Sequence, residues 1–365
     1  MTTEEAEQVG VRHLSALARQ PRPAGGDAEQ KAREYAANTL AALAFSVREE
    51  PFSYSSFPGR FGAPLTALLL FAAIASAGWF ALGEANVQQG LIALFAGAAM
   101  VTAFARCMFS GVLDFPWLRA AGVNLVATRG AGEPRVWLVA HLDSKSQPVP
   151  SLARIVGVIL LAAGFVASLS ALLLTLGGLD ARTLWWGAVG VAAAGALPVA
   201  ASLVGARSDG AVDNASGVAA VLAAAGMLRR DAPCGVLLTS AEELGLAGAR
   251  AWARDHARSI AINCDGVDDE GSVVMMFNGH RPVRVEAAVR AASSSGVRVR
   301  RMPAGLLTDS TALAAGGWLT ATVSHGSFRT LRRVHTKHDS LVHLRGTSIE
   351  HVAGILAGAA EALAT

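Results

Sequence analysis

Cysteine, tyrosine and lysine are nearly missing from this 365-residue chain, and charge of either sign is scarce. The three cysteines, Cys107, Cys234 and Cys264, form no CxxC pair, and an odd number supplies no disulfide framework. Their pattern fits a reducing compartment. Tyr35 and Tyr54 are the two tyrosines, and Lys31, Lys145 and Lys337 are the three lysines among 31 basic residues. Charged residues make up 16% of the chain, against about 25% in an ordinary soluble domain. A net charge of +3 is too small to suggest a nucleic-acid partner. The stretch from Thr2 to Gln8 is polar and acidic, so no secretory signal peptide is expected there.

Apolar residues fill the deficit: 52% of the chain is hydrophobic, with a mean hydropathy of +0.41. Residues 63–82, 90–105, 155–176 and 184–204 carry no charge. A bilayer-spanning helix needs about 20 such residues. The polar turns from Gly83 to Gln89, which includes Glu84, and from Gly177 to Arg182 divide them into hairpins at 63–108 and 154–204. Gly187, Gly190, Ala194 and Gly195 give the last helix small faces suited to close packing in lipid. Two hairpins buried in a soluble protein are the alternative, but core helices rarely run this long without a charge. A lipid bilayer is therefore an expected partner. Arg60, Arg106, Arg119, Lys145, Arg154 and Arg207 flank the spans on one side, whereas the tips hold Arg182 opposed by Glu84 and Asp180. The positive-inside rule then places the soluble part in the cytoplasm of a multi-pass inner-membrane protein.

The remaining stretches, 1–60, 109–153 and 205–365, read as one discontinuous soluble domain. Helical spacing is expected over Glu4 to Ala18, from Asp27 (as N-cap) to Leu43, over Val283 to Ala292 and over Thr347 to Ala364. Phe45 to Phe52, Gly122 to Thr128, Val136 to Ala140, Ser259 to Cys264, Ser272 to Phe277 and Leu319 to Val323 read as strands. Strands alternating with helices imply an α/β fold, with a largely parallel sheet covered on both faces.

The chemistry gathers around Asp213 to Gly245. Gly210-Ala-Val-Asp-Asn-Ala-Ser-Gly217 precedes an Ala-rich helix, and Thr239-Ser-Ala-Glu-Glu-Leu-Gly245 follows the strand-like Gly235 to Leu238. Ligands in open α/β sheets bind outside the carboxyl ends of strands, so both loops can share one crevice. Carboxylates there need a positive partner, and no arginine lies inside these loops, which favours a metal ion. His141, Asp143, Asp213, Glu242, Glu243, Asp265 and His335 are the candidates. A mixture of histidine and carboxylate suits zinc or a similar metal. Two ions about 3.5–4 Å apart would need a bridging carboxylate, and Asp213 is well placed to be one. Taken singly, Asp143 and Asp213 read as turn formers or caps, Glu242-Glu243 as a solvated helix start, and His335 as a surface residue beside His338 and His343. Because two crossings separate His141 from Asp213, the two can lie on the same side of a bilayer.

His141-Leu-Asp143, Asp213-Asn-Ala-Ser-Gly217, Glu242-Glu243, Asp265 and His335-Thr-Lys-His-Asp339, in this order, resemble the M28 family of co-catalytic zinc peptidases. Pro21-Arg-Pro-Ala-Gly25 resembles that family's start. The resemblance implies a three-layer αβα sandwich around a mixed, largely parallel sheet, with the four transmembrane helices as two inserted hairpins. It implies two zinc ions and a peptide substrate, most simply for an aminopeptidase; a glutaminyl cyclase or an inactive membrane scaffold are the alternatives. His141 and Asp265 would hold one zinc, Glu243 and His335 the other, and Asp213 would bridge. Asp143 would orient His141 by accepting its other ring N–H. Glu242 would take a proton from the attacking water. Asp339 would tether the His335 loop, and Asp309-Ser310 would be an N-cap or lie near the substrate pocket. Family enzymes often stabilise the oxyanion with a tyrosine, and neither tyrosine here is near the expected position; His325 is the substitute this sequence offers. Arg298, Arg300, Arg301, Arg329, Arg332 and Arg333 form either a solvated face or a contact for anionic lipid headgroups. No oligomeric state is implied.

Overall fold

The computed structural model describes residues 3–82, 87–130, 132–303 and 305–365, so Glu84 of the expected first turn lies outside the described residues. The chain divides into two units. One comprises Met1–Tyr54, Arg119–Ser146 and Gly205–Thr365; the other comprises Ser55–Leu118 and Gln147–Val204. The elements begin with α1 (Thr3–Leu17), α2 (Asp27–Ala42), β1 (Ser46–Ser55), α3 (Phe57–Leu82) and α4 (Val87–Ser110). Next come β2 (Arg119–Thr128), β3 (Val136–His141), α5 (Ser151–Leu176), α6 (Arg182–Ala200), α7 (Gly217–Met227) and β4 (Cys234–Thr239). The chain continues through α8 (Ala247–Asp255), β5 (Ile260–Val267), β6 (Ser272–Phe277), α9 (Val283–Ala292), β7 (Arg298–Arg301) and α10 (Asp309–Ala315). It ends with β8 (Leu319–Gly326), α11 (Thr330–Arg333) and α12 (Ile349–Ala364).

The first unit is organised by an eight-stranded sheet in the order β1-β2-β4-β3-β5-β8-β6-β7. β3 (V-W-L-V-A-H) and β4 (C-G-V-L-L-T) are buried at every position. Such continuous apolar runs belong in the middle of a parallel sheet covered on both faces. β3 runs parallel to β4 and β5, and β5 to β8, while β2 and β6 run antiparallel to their neighbours β4 and β8. Period-two alternation sorts the side chains. Leu138, Val236, Leu238, Ile262 and Val323 join one core with α1, α2, α7, α9 and α12. Trp137, Val139, Leu237 and Ala261 face the other way, onto Leu246 and Trp252 of the α8 region and Leu313 of α10. The Ala-rich α7 is buried from Gly217 to Ala225, as a helix apolar on all sides must be.

Two local expectations change. Gly26, not Asp27, is the N-cap of α2; it holds the extended conformation that ends the Pro23 turn, and Asp27 falls in the first helical turn. β7 carries no strand signal, because Arg-Val-Arg-Arg has no apolar alternation. It becomes a strand through parallel pairing with β6 at the sheet edge.

In the second unit, α3 pairs with α4 and α5 with α6, and α3 also lies against α5 and α6. Ile74, Ala77, Leu94, Leu161, Leu172 and Trp185 form its core. Close approach requires glycine: a Cβ on Gly195 would stand 2.6 Å from the Gly157 carbonyl oxygen. At Gly187 and Gly190, expected to pack, an added Cβ would instead meet no other part of the chain within 4 Å. Trp79, Leu197 and Leu173 are 78%, 71% and 69% exposed, which a water-facing bundle would not favour. All four helices are long and apolar enough to cross a membrane. α4 also runs past Arg106 to Ser110, so the second candidate span has 24 helical residues, more than its uncharged stretch suggested.

Candidate metal centre

Parallel strands bring their carboxyl ends to one edge, and the candidate residues follow. His141 closes β3 opposite Thr239, the last residue of β4, and Glu242 and Glu243 come directly after. Asp265 follows Cys264, which pairs with Val323 of β8. Asp213 lies in the irregular segment 211–216 that leads into α7, and His335 lies in the loop after α11.

Two groups of side chains result. His141, Glu242 and Asp265 offer ligand atoms within 4.8 Å of one another, and so do Asp213, Glu243 and His335. Asp213 joins the groups: its Oδ1 is 3.1 Å from His141 Nε2, and its Oδ2 is 2.9 Å from His335 Nε2. His141 Nε2 is 3.7 Å from Asp265 Oδ1 and 4.0 Å from Glu242 Oε2, and His335 Nε2 is 3.2 Å from Glu243 Oε1.

The rest of the motif holds these groups in place. His141 Nδ1 donates to the Asp143 backbone carbonyl at 3.0 Å, which puts the proton on Nδ1 and turns the Nε2 lone pair inward. The Asp143 carboxylate stands 3.6 Å from that ring. It instead accepts the backbone N–H groups of Glu242 and Glu243, at 3.0 and 3.1 Å. That grip offsets the left-handed backbone of Ala241, φ 56°. Asp339 repeats the device on the other loop, accepting the N–H groups of Val212 at 2.6 Å and Asp213 at 3.1 Å. The Asn214 amide donates to the Cys264 carbonyl and accepts from Gly217 and Gly266, stitching the Asp213 loop to β5. Gly217 is required there, since a Cβ would lie 2.0 Å from Asn214 Oδ1.

Arg22 had no role assigned from sequence. Its fully buried guanidinium donates to the carbonyls of Leu17, Leu142, Asp209 and Gly210, clamping the two loops that carry His141 and Asp213. Lys145, counted from sequence only as a basic flank of a span, places Nζ 2.5 Å from Glu243 Oε2. Asp309 is the first residue of α10 rather than its cap, which is Thr308. Its buried Oδ2 accepts from the Thr239 hydroxyl. His325 belongs to neither ligand group; its Nδ1 donates to the Asp268 carbonyl at 2.6 Å. Of the arginines read as one basic face, Arg333 is bound to Asp268 at 2.6 Å and Arg329 lies 3.6 Å from Glu270, so that face is partly neutralised.

The electrostatics call for cations. Burial raises the Glu242 carboxyl well above the usual carboxylate range, and Asp265 is raised for the same reason. Burial also lifts Asp309 and Asp339 to about 7. Burial alone would raise Glu243 too, but His335 and Lys145 outweigh it and bring it down to about 2. Adjacent glutamates are thus pushed in opposite directions. His141 Nε2 and Glu243 Oε1 are buried without a hydrogen-bond partner. Inward-facing imidazole and carboxylate atoms in this state fit the donor set of zinc.

The sequence profile of peptidase family M28 matches residues 124–360, and the chain belongs to that family. Solved structures share its fold. An aminopeptidase from Aneurinibacillus sp. strain AM-1 is 15% identical, covering 97% of this chain and 92% of its own, at a TM-score of 0.57. The zinc aminopeptidase BSAP of Bacillus subtilis is 14% identical over 97% of this chain and 94% of its own, at 0.54. A glutaminyl cyclase from Porphyromonas gingivalis is 13% identical over 98% and 97%, at 0.53. No curated protein matches the sequence.

Proposed function

We propose that the chain is a membrane-anchored, zinc-dependent exopeptidase that removes N-terminal residues from peptides. The observation that carries this reading is Asp213, whose two oxygens face His141 and His335 at 3.1 and 2.9 Å. So placed, Asp213 would be able to serve two ions at once. Family membership and the aminopeptidases of like fold, BSAP among them a zinc enzyme, support it.

His141 and Asp265 would hold one ion, Glu243 and His335 the other, with Asp213 between. When bound, the ions polarise the scissile carbonyl and acidify water at the site. Glu242 would take the proton from the attacking water and pass it to the leaving amine. Asp143 positions that base by holding the backbone N–H groups of 242 and 243. Tyr35 bonds to His13, and Tyr54 is buried in β1, so neither is assigned to the oxyanion. We assign that role to His325; with Nδ1 committed to the Asp268 carbonyl, Nε2 is the ring atom left to face an oxyanion. In His325→Ala, kcat falls while zinc content holds; an unchanged kcat removes the assignment.

The four long apolar helices anchor the enzyme in a bilayer. The excess of arginine at the domain-side ends of the spans favours a cytoplasmic site, in a bacterial inner membrane. Labelling of a cysteine placed at Asp180 from the outer face tests this, and protection of that cysteine in intact cells reverses the orientation.

Metal analysis of the purified chain, with hydrolysis of aminoacyl and peptide substrates measured with and without chelator, tests the whole reading. Zinc-dependent release of free amino acids supports it. Conversion of N-terminal glutamine to a cyclic product, without release of amino acids, would instead favour the cyclase reading that the glutaminyl cyclases of like fold suggest. A Glu242→Gln chain with full biological function would favour a scaffold.

A further inference from the structure

We propose that Lys145 is a positioning residue. It separates the tasks of the two Glu243 oxygens and so sets the affinity of one metal position independently of the other. The inference rests on the two-ion reading above. Lys145 Nζ lies 2.5 Å from Glu243 Oε2, while Oε1 of the same carboxylate lies 3.2 Å from His335 Nε2 and is buried without a hydrogen-bond partner. One oxygen is therefore occupied by a fixed cation, and the other is held ready for a ligand role.

The lysine is built to stay there. Its side chain is only 12% exposed. On one side Ser144 is bonded to Arg22 through both backbone and hydroxyl. On the other, Ser146 and Gly205 exchange two backbone hydrogen bonds at 2.8 Å. The residue type is informative as well. Of 31 basic residues only three are lysines, leaving 28 arginines, yet this contact uses lysine. An ammonium is a compact point charge that can satisfy one carboxylate oxygen, whereas a guanidinium fork takes both oxygens in parallel. An arginine here would compete for Oε1. A neutral residue would release Oε2, so that the carboxylate could turn.

The test is a cobalt(II) titration of the full-length, detergent-solubilised, metal-stripped chain, followed by visible absorption and chelator competition. Wild type should bind in two resolved steps. His335→Ala and His141→Ala assign the steps to the two groups. Lys145→Met, which keeps the stem and removes the charge, should weaken the His335-dependent step about 10- to 100-fold, the range found when groups supporting a metal ligand are removed. It should leave the His141-dependent step unchanged, and Lys145→Arg should fail to restore wild-type affinity. Two unchanged steps, equal weakening of both, or full rescue by arginine overturns the proposal and leaves the two-ion reading standing. A single step in wild type overturns both.

Discussion

In the unit formed by Met1–Tyr54, Arg119–Ser146 and Gly205–Thr365, burial extends to Arg22, Glu29, His141, Asp143, Glu242, Glu243, Asp309, His335 and Asp339. Among the described residues of the four-helix unit, the buried polar side chains are Gln147 and a few serines; Ser168 bonds to the Gly164 carbonyl, Ser202 to that of Pro198 and Gln147 to that of Ser202. The first arrangement gathers buried histidines and carboxylates at one edge of the sheet. Among its described residues the second buries no charged side chain and leaves large apolar ones outside. Ionisable groups within a membrane mark pathways for ions or substrates. The arginines in the four helices, Arg60, Arg106, Arg154 and Arg182, lie near helix ends. We therefore read this unit as an anchor and the other as the chemical machine.

The division can be broken in four ways, taken from the largest effect down. Glu242→Gln should lower kcat by about 10²- to 10⁴-fold, the range of a general base, with zinc content retained. A smaller loss in steady-state assays would move the base elsewhere. Asp339→Leu leaves the N–H groups of Val212 and Asp213 unpaired, at about 1–3 kcal/mol each, so the unit that carries the candidate site should unfold at lower denaturant and lose metal.

A pH dependence comes next. Burial, with a smaller contribution from Arg12, lowers His13 to about 4 from an ordinary 6.5. The folded state then holds it neutral, next to the Tyr35 hydroxyl at 2.8 Å. Its contribution is complete above pH 6.5 and is lost as pH falls towards 4, by about 2–3 kcal/mol. Urea melts across that window should show the loss, and His13→Gln should flatten it. The smallest effect should come from Gly195→Ala, which presses a methyl group onto Gly157 and Leu161. Overpacking of this kind costs about 1–3 kcal/mol. Thermal unfolding in detergent should register it while kcat stays at the wild-type value; a large loss of kcat would show that the anchor takes part in the chemistry.

Much of the site was readable because chemistry restricts residue type and order together. Histidines and carboxylates at strand ends have few uses, and His141, Asp213, Glu242, Glu243, Asp265 and His335 do converge. The supporting contacts were not readable. Asp143 was expected to accept from the His141 ring, but its carboxylate grips the next loop while its carbonyl takes the ring proton. Both arrangements use the same residues, so their order along the chain does not choose between them. Lys145 carried a visible signal, a lysine two residues past a candidate site residue in a chain that otherwise uses arginine, but its partner lies 98 positions away.

By itself the sequence determined that four long apolar helices form, the α/β alternation and the set of possible ligands. Each depends on local composition or on residue chemistry. The tertiary structure decided the edge strand β7, the clamping role of Arg22 and the separate tasks of the two Glu243 oxygens. Those depend on which distant backbone groups the folded sheet brings within hydrogen-bonding distance, and spacing along the chain does not encode such proximity.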